Sequence, residues 1–112
     1  MPENYLASPE VDRVIRAGIE DARLIELLYG GGTRVVEPHD YGEKNGVVKL
    51  LAFQVAGTST HPLPNWRWFE ADKISSVRLL ERSFRGGRPN PSGKHHHWDK
   101  LFARVRPGSS PE

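Results

Sequence analysis

Apolar residues recur along this chain first at helical spacing and then in short alternating runs. Val11, Val14, Ile15 and Ile19 fall on one face of a helix, and Asp12, Arg13 and Arg16 fall away from it. Ser8-Pro9 supplies the start, an N-cap hydroxyl followed by proline at the first helical position. The spacing predicts a helix over 9–20. From Leu24 the period changes. LIELLY (24–29) is a short apolar run, GGG (30–32) permits a tight reversal, and TRVVEPHDY (33–41) completes a predicted hairpin. Pro38 lacks an amide hydrogen, so it is expected to end that strand and turn the chain toward Gly42. Asn45-Gly46 is a strong hairpin-turn dipeptide. VVKLLAFQV (47–55) then puts Val47, Lys49, Leu51, Phe53 and Val55 on one face, and Val48, Leu50, Ala52 and Gln54 on the other. Both faces are largely apolar. One is expected to meet a barrel interior, the other the helix or another subunit.

The second half is more broken. GTSTHPLPN (57–65) reads as a loop, WRWFE (66–70) as a strand, ADKI (71–74) as a tight helical turn and SSVRLLERSF (75–84) as a fifth strand. Residues 85–97 have turn-forming composition. WDKLFARV (98–105) fits a helical turn or a strand equally well. One helix followed by five short strands predicts a mostly β fold, a small five-stranded barrel capped by its N-terminal helix. Three divisions follow: an N-terminal tail over 1–8, the barrel domain over 9–84, and a basic C-terminal extension over 85–112 with one short element.

Composition narrows the chemistry. The 112 residues suit one domain, and they include no cysteine, which excludes disulfides, thiolate metal sites and cysteine nucleophiles. Without a run of about 18 apolar residues or signal-peptide patterning, a cytoplasmic protein with no membrane span is expected. The formal net charge is only +2, but it is unevenly spread. Residues 1–77 hold eight basic and eleven acidic residues, a net of −3, whereas residues 78–106 hold eight basic and two acidic, a net of +6. That strip suggests an anionic partner; its plainer reading is a solvated tail. GGG is followed by neither Gly-Lys-Ser/Thr nor a helix, so it is not a phosphate loop.

Several features, in order, resemble the WYL domain, a bacterial module with an Sm-like, SH3-type barrel. They are the amphipathic helix, a strand ending in Tyr29, Arg34-x-x-x-Pro38, Gly46 before Val48-Lys49-Leu50-Leu51-Ala52-Phe53, Arg67-x-Phe69, the turn Asp72-Lys73-Ile74, and an apolar strand ending in Phe84. The resemblance covers about residues 11–84. The tripeptide that names the family is replaced by Val48-Lys49-Leu50, which keeps only the leucine. No helix-turn-helix precedes the domain. The resemblance implies a non-enzymatic sensor or regulatory module, of the kind used in transcription regulation, that binds a nucleotide or single-stranded nucleic acid. Arg34 and Arg67 map onto its basic ligand-binding positions, with His39 and Tyr41 nearby.

Residue chemistry agrees with that assignment. Guanidinium groups match phosphate with paired hydrogen bonds at any cellular pH. Phe69 shares the face of Arg67 and could stack on a base, whereas Trp66 and Trp68 point to the opposite face and are expected to be core rather than stacking platforms. Arg78 is expected to assist. Arg82, Arg85 and Arg88 surround a Gly-Gly and could follow a nucleic-acid backbone. The competing reading pairs Arg34 and Arg67 with Glu37, Asp40 or Glu70 at the surface. His39 lacks an oriented partner and nucleophile, so a shape role is favoured over catalysis. His95 and His97, in a three-histidine run beside Asp99, are candidate metal ligands. Tight sites draw on spaced positions from a rigid frame, so no cofactor is expected. Two further readings are an interaction module, in which the second face of 47–55 joins a homodimer or a regulator protein, and a small His- or metal-dependent hydrolase.

Overall fold

The computed structural model describes residues 7–88 and 97–107. Helix α1 (Pro9–Asp21) is followed by β1 (Arg23–Tyr29), β2 (Gly32–Lys44), β3 (Val47–Gly57) and β4 (Asn65–Glu70). A 3-10 turn (Ala71–Lys73) leads to β5 (Ile74–Ser83), and β6 (Lys100–Arg104) comes last. The fold is mostly β with one N-terminal helix. Among the described residues no helix is long and apolar enough to cross a membrane.

Local chemistry sets most of these limits. The Ser8 hydroxyl accepts from the Val11 amide at 3.2 Å, and Ala22 ends α1 in the left-handed region at φ 53°. Tyr29 pairs with Gly32, leaving Gly30 and Gly31 as a two-residue turn with φ 61° and 78°. Both angles suit glycine, and they make the reversal that right-twisted strands require. Asn45 and Gly46, at φ 54° and 78°, make the second such turn.

All the strand pairings are antiparallel, in the order β4-β3-β2-β1-β5, with β6 added to β2. Three residues connect β4 to β5, yet these two strands stand at opposite ends of that path. The sheet must therefore curl until its ends approach. It does not close: among the described residues no ladder joins β4 to β5. Side chains bridge the gap instead. Tyr29 of β1 meets Phe69 of β4 edge to face at 4.9 Å, and the Glu70 amide donates to the Tyr29 hydroxyl at 3.1 Å. The five-stranded barrel expected from sequence is thus a six-stranded, open one.

Pro38 does not end β2. The ladder with β1 reaches Val36, the ladder with β6 begins at Asp40, and Pro38 lies in the gap between them. There its missing amide hydrogen is tolerated. A bulge at His39 then offsets the register with β3 between Pro38 and Asp40. One strand can in this way serve two neighbours along the same flank.

The core lies inside the curl and under α1. Val11, Val14, Ile15 and Ile19 pack with Ile25, Leu27, Val36, Tyr41, Val48, Leu50, Ala52 and Phe69. The opposite face of β3 is not where the helix packs. It packs against the chain's own later segments: Arg88 lies 4.2 Å over Phe53, and Trp98 reaches Trp68 at 5.5 Å. Residues 98–105, for which helix and strand fitted equally, include strand β6, so this part of the C-terminal extension belongs to the sheet.

Candidate functional site

The sheet register brings three polar residues together on the inner face. Leu27 pairs with Arg34, Val36 with Gln54, Gln54 with Asn65, and Ala52 with Arg67. Gln54 is therefore a diagonal neighbour of Arg67, a spacing of roughly 7–8 Å within reach of long side chains, while a register shift between Val35 and Val36 sets Arg34 opposite Gly57 further along β3. Arg34 is only 8% exposed and Gln54 is fully buried. Both guanidinium groups lie near the ring of Phe69, Arg34 at 5.9 Å and Arg67 at 6.0 Å, and Arg34 also lies 5.7 Å from Tyr29.

Among the described residues no carboxylate pairs with this positive charge. Glu37 receives Arg88 at 2.6 and 3.0 Å, Asp40 receives Arg104 at 2.9 and 3.0 Å, and Glu70 faces Lys73 at 3.5 Å. The three acids that could have neutralised Arg34 and Arg67 are engaged elsewhere. Burial, and then the charge of Arg67, push the Arg34 pKa down, against a smaller opposing effect of Tyr29. Among the described residues, the buried side-chain nitrogen and oxygen atoms without a hydrogen-bond partner are Arg34 Nε and Nη1, Arg67 Nη1 and Gln54 Oε1. All four belong to this cluster. Buried polar groups are normally paired, and leaving one unpaired costs about 1–3 kcal/mol. Guanidinium donors left unmet in this way match the geometry of an oxyanion's acceptors.

The other expected ligand residues are placed elsewhere. Phe69 has no exposure, so its ring is core and offers no face to a base. Tyr41 lies under α1, where its hydroxyl donates to Asp12 at 2.8 Å; burial, helped by that bond, pushes its pKa up. It is seven positions from Arg34 along β2, on the order of 20 Å for an extended strand. Arg78 is exposed and pairs with Glu26 across the β1–β5 ladder at 3.0 Å. Arg82 and Arg85 are exposed on the surface. Arg88 binds Glu37 rather than standing free for a nucleic acid. His97 is exposed, and His95 lies outside the described residues. Among the described residues no group of three or more His, Asp or Glu could hold a metal ion.

Neither family models, curated proteins nor solved structures yield a match to this chain.

His39 proves to be a fastener. Its Nε2 accepts from the Arg88 amide at 3.1 Å, which fixes the neutral tautomer with Nδ1–H donating to the Glu37 carbonyl at 2.8 Å. The ring stacks on Phe84 at 5.6 Å and meets Trp66 edge-on at 4.7 Å, while its carbonyl accepts from the Val105 amide at 2.8 Å. Burial lowers its pKa, opposed by its bond to Glu37 and by the charges of Glu37 and Asp40. With both ring nitrogens engaged, His39 has no lone pair left for substrate chemistry.

Gln54 is the member of the site that sequence reasoning missed. Its signal was nonetheless present: it is the one polar residue in the alternation Val48, Leu50, Ala52, Gln54 on the face expected to be buried.

Proposed function

We propose that this chain is a non-enzymatic anion-binding module of the WYL type, acting as a sensor or regulatory unit whose ligand is a nucleotide or single-stranded nucleic acid. Arg34 and Arg67 hold the phosphate. The observation that carries this reading is the concentration of unpartnered buried donors on two arginines that, among the described residues, pair with no acid. An ion-paired surface would leave no such demand. The lowered Arg34 pKa has the same origin, since a bound anion relieves both the desolvation and the repulsion from Arg67.

Fluorescence anisotropy with labelled single-stranded DNA and RNA oligomers and with a labelled nucleotide, titrated across salt, tests this function. Salt-sensitive binding that disappears in Arg34→Ala/Arg67→Ala is expected. Binding that survives the double substitution would move the site to the exposed arginines 82 and 85. Absence of binding by the wild type at low salt would overturn the reading.

A further inference from the structure

The four orphaned atoms are of two kinds. Arg34 Nε and Nη1 and Arg67 Nη1 are donors, whereas Gln54 Oε1 is an acceptor. The orientation of the Gln54 amide is fixed from the other side. Its Nε2 donates to the carbonyls of Ala56 at 3.1 Å and Thr58 at 2.8 Å, so the oxygen is the end left over. A simple oxyanion would satisfy the arginines but set its own negative oxygens beside this unmet carbonyl. A ligand that completes the cluster brings anionic oxygens and, next to them, one O–H.

Building on the anion-binding reading, we infer that the preferred ligand is a phosphate ester with a hydroxyl on the adjacent carbon, the arrangement of a ribose 2′-hydroxyl beside a 3′-phosphate. Arg34 and Arg67 take the phosphate and Gln54 Oε1 accepts from the hydroxyl. A 2′-hydroxyl is the group by which a protein separates ribose from deoxyribose. A buried acceptor built to receive it penalises the analogue that lacks it, because the acceptor then stays unpaired. Phe69 cannot stack on a base, so selectivity falls on this phosphate–hydroxyl pair. The Gly30–Gly31 turn and Thr58 border these atoms: a Cβ on Gly30 would lie 3.6 Å from Arg34 Nη2, and the Thr58 carbonyl accepts from Gln54 Nε2 at 2.8 Å.

Isothermal titration calorimetry of the full chain with adenosine 3′-monophosphate and with its 2′-deoxy analogue tests the inference. The ribonucleotide is expected to bind about tenfold more tightly, one hydrogen bond's worth of discrimination. Gln54→Met should bring the two ligands to equal affinity, and Arg34→Ala/Arg67→Ala should remove both. Glycerol 1-phosphate has the adjacent hydroxyl and no base; equal affinity assigns the ligand to sugar phosphates generally, weaker affinity to ribonucleotides. Equal binding of the ribo and deoxy compounds by the wild type, abolished in the arginine double variant, would overturn the role of Gln54 and leave the anion site standing. No binding of either would overturn both. Should Gln54→Met fail to fold, the wild-type ratio decides alone.

Discussion

At the scale of single residues, unmet demand separates the site from the scaffold. Arg34 and Arg67 are kept where folding alone would not put them. Replacing Arg34 with a side chain of similar length and no charge removes the repulsion from Arg67 and two orphaned donors. Arg34→Met is therefore expected to raise stability by about 1 kcal/mol or more, even as the proposed anion binding is lost. Denaturant melts of the two proteins check this, and a large loss of stability would mean that the guanidinium stacking on Tyr29 and Phe69 outweighs the repulsion. His39 makes the opposite kind of prediction. Its folded pKa lies below the ordinary 6.5, so below that pH the unfolded chain binds a proton that the folded chain resists. Its contribution is complete above about pH 6.5 and falls as the pH drops through the window toward the folded pKa. Glu37 and Asp40, which face the ring with Arg88, limit the effect. Melting temperatures between pH 8 and 5 should decline from near pH 6.5 in the wild type and decline less in His39→Gln.

At the scale of elements, the sequence was legible wherever a local signal had no tertiary competitor. The helix and its Ser8 cap, the two glycine-containing turns, the 3-10 turn at Ala71 and the alternation of β3 all form as their residues dictate. Pro38 misled because its usual meaning, the end of a ladder, depends on what lies alongside. Here β1 has already stopped and β6 has not yet begun, facts set by partners distant in the chain. Alternation separates Arg67 and Phe69 from Trp66 and Trp68, but the face expected to be core was the wrong one: Trp68 is 38% exposed, whereas Phe69, on the face of Arg67, is fully buried. That Phe69 would be sealed beneath Arg34 and Arg67, and that Gln54 would stand beside Arg67, depends on strand register, which alternation alone does not fix. Gly42 shows the same limit. It was expected in a turn, but it lies inside β2, where an added Cβ would meet the Lys100 carbonyl oxygen and come within 2.7 Å of the Trp98 ring. Gly42→Ala should therefore push β6 away. A loss of about 1–3 kcal/mol is expected, as for overpacking elsewhere, with faster amide exchange confined to β6 and its partners on β2.

At the scale of the whole molecule, the charge imbalance along the chain has an internal use. The acidic first part and the basic last part are joined: Arg78 pairs with Glu26, Arg88 with Glu37 and Arg104 with Asp40. The last two grip acids whose side chains are 6% and 12% exposed. Three of the eight basic residues of the strip are thus paired with the body, which is why its charge alone is a poor guide to a ligand. The segment after Phe84 also brings the amides of Arg88 and Val105 to His39 and lays the Arg88 guanidinium on Phe53. A chain cut after Phe84 keeps Arg34, Gln54 and Arg67 but leaves Glu37 and Asp40 in low-exposure positions without partners and uncovers Phe53 and one flank of β2. Loss of such partners costs several kcal/mol, a large share of the 5–15 kcal/mol that holds a domain of this size together. The truncated chain is expected to unfold at a markedly lower denaturant concentration than the full chain. A truncated chain as stable as the full one would show that the six-stranded sheet does not depend on its last strand, and that the basic segment is the tail its composition suggests.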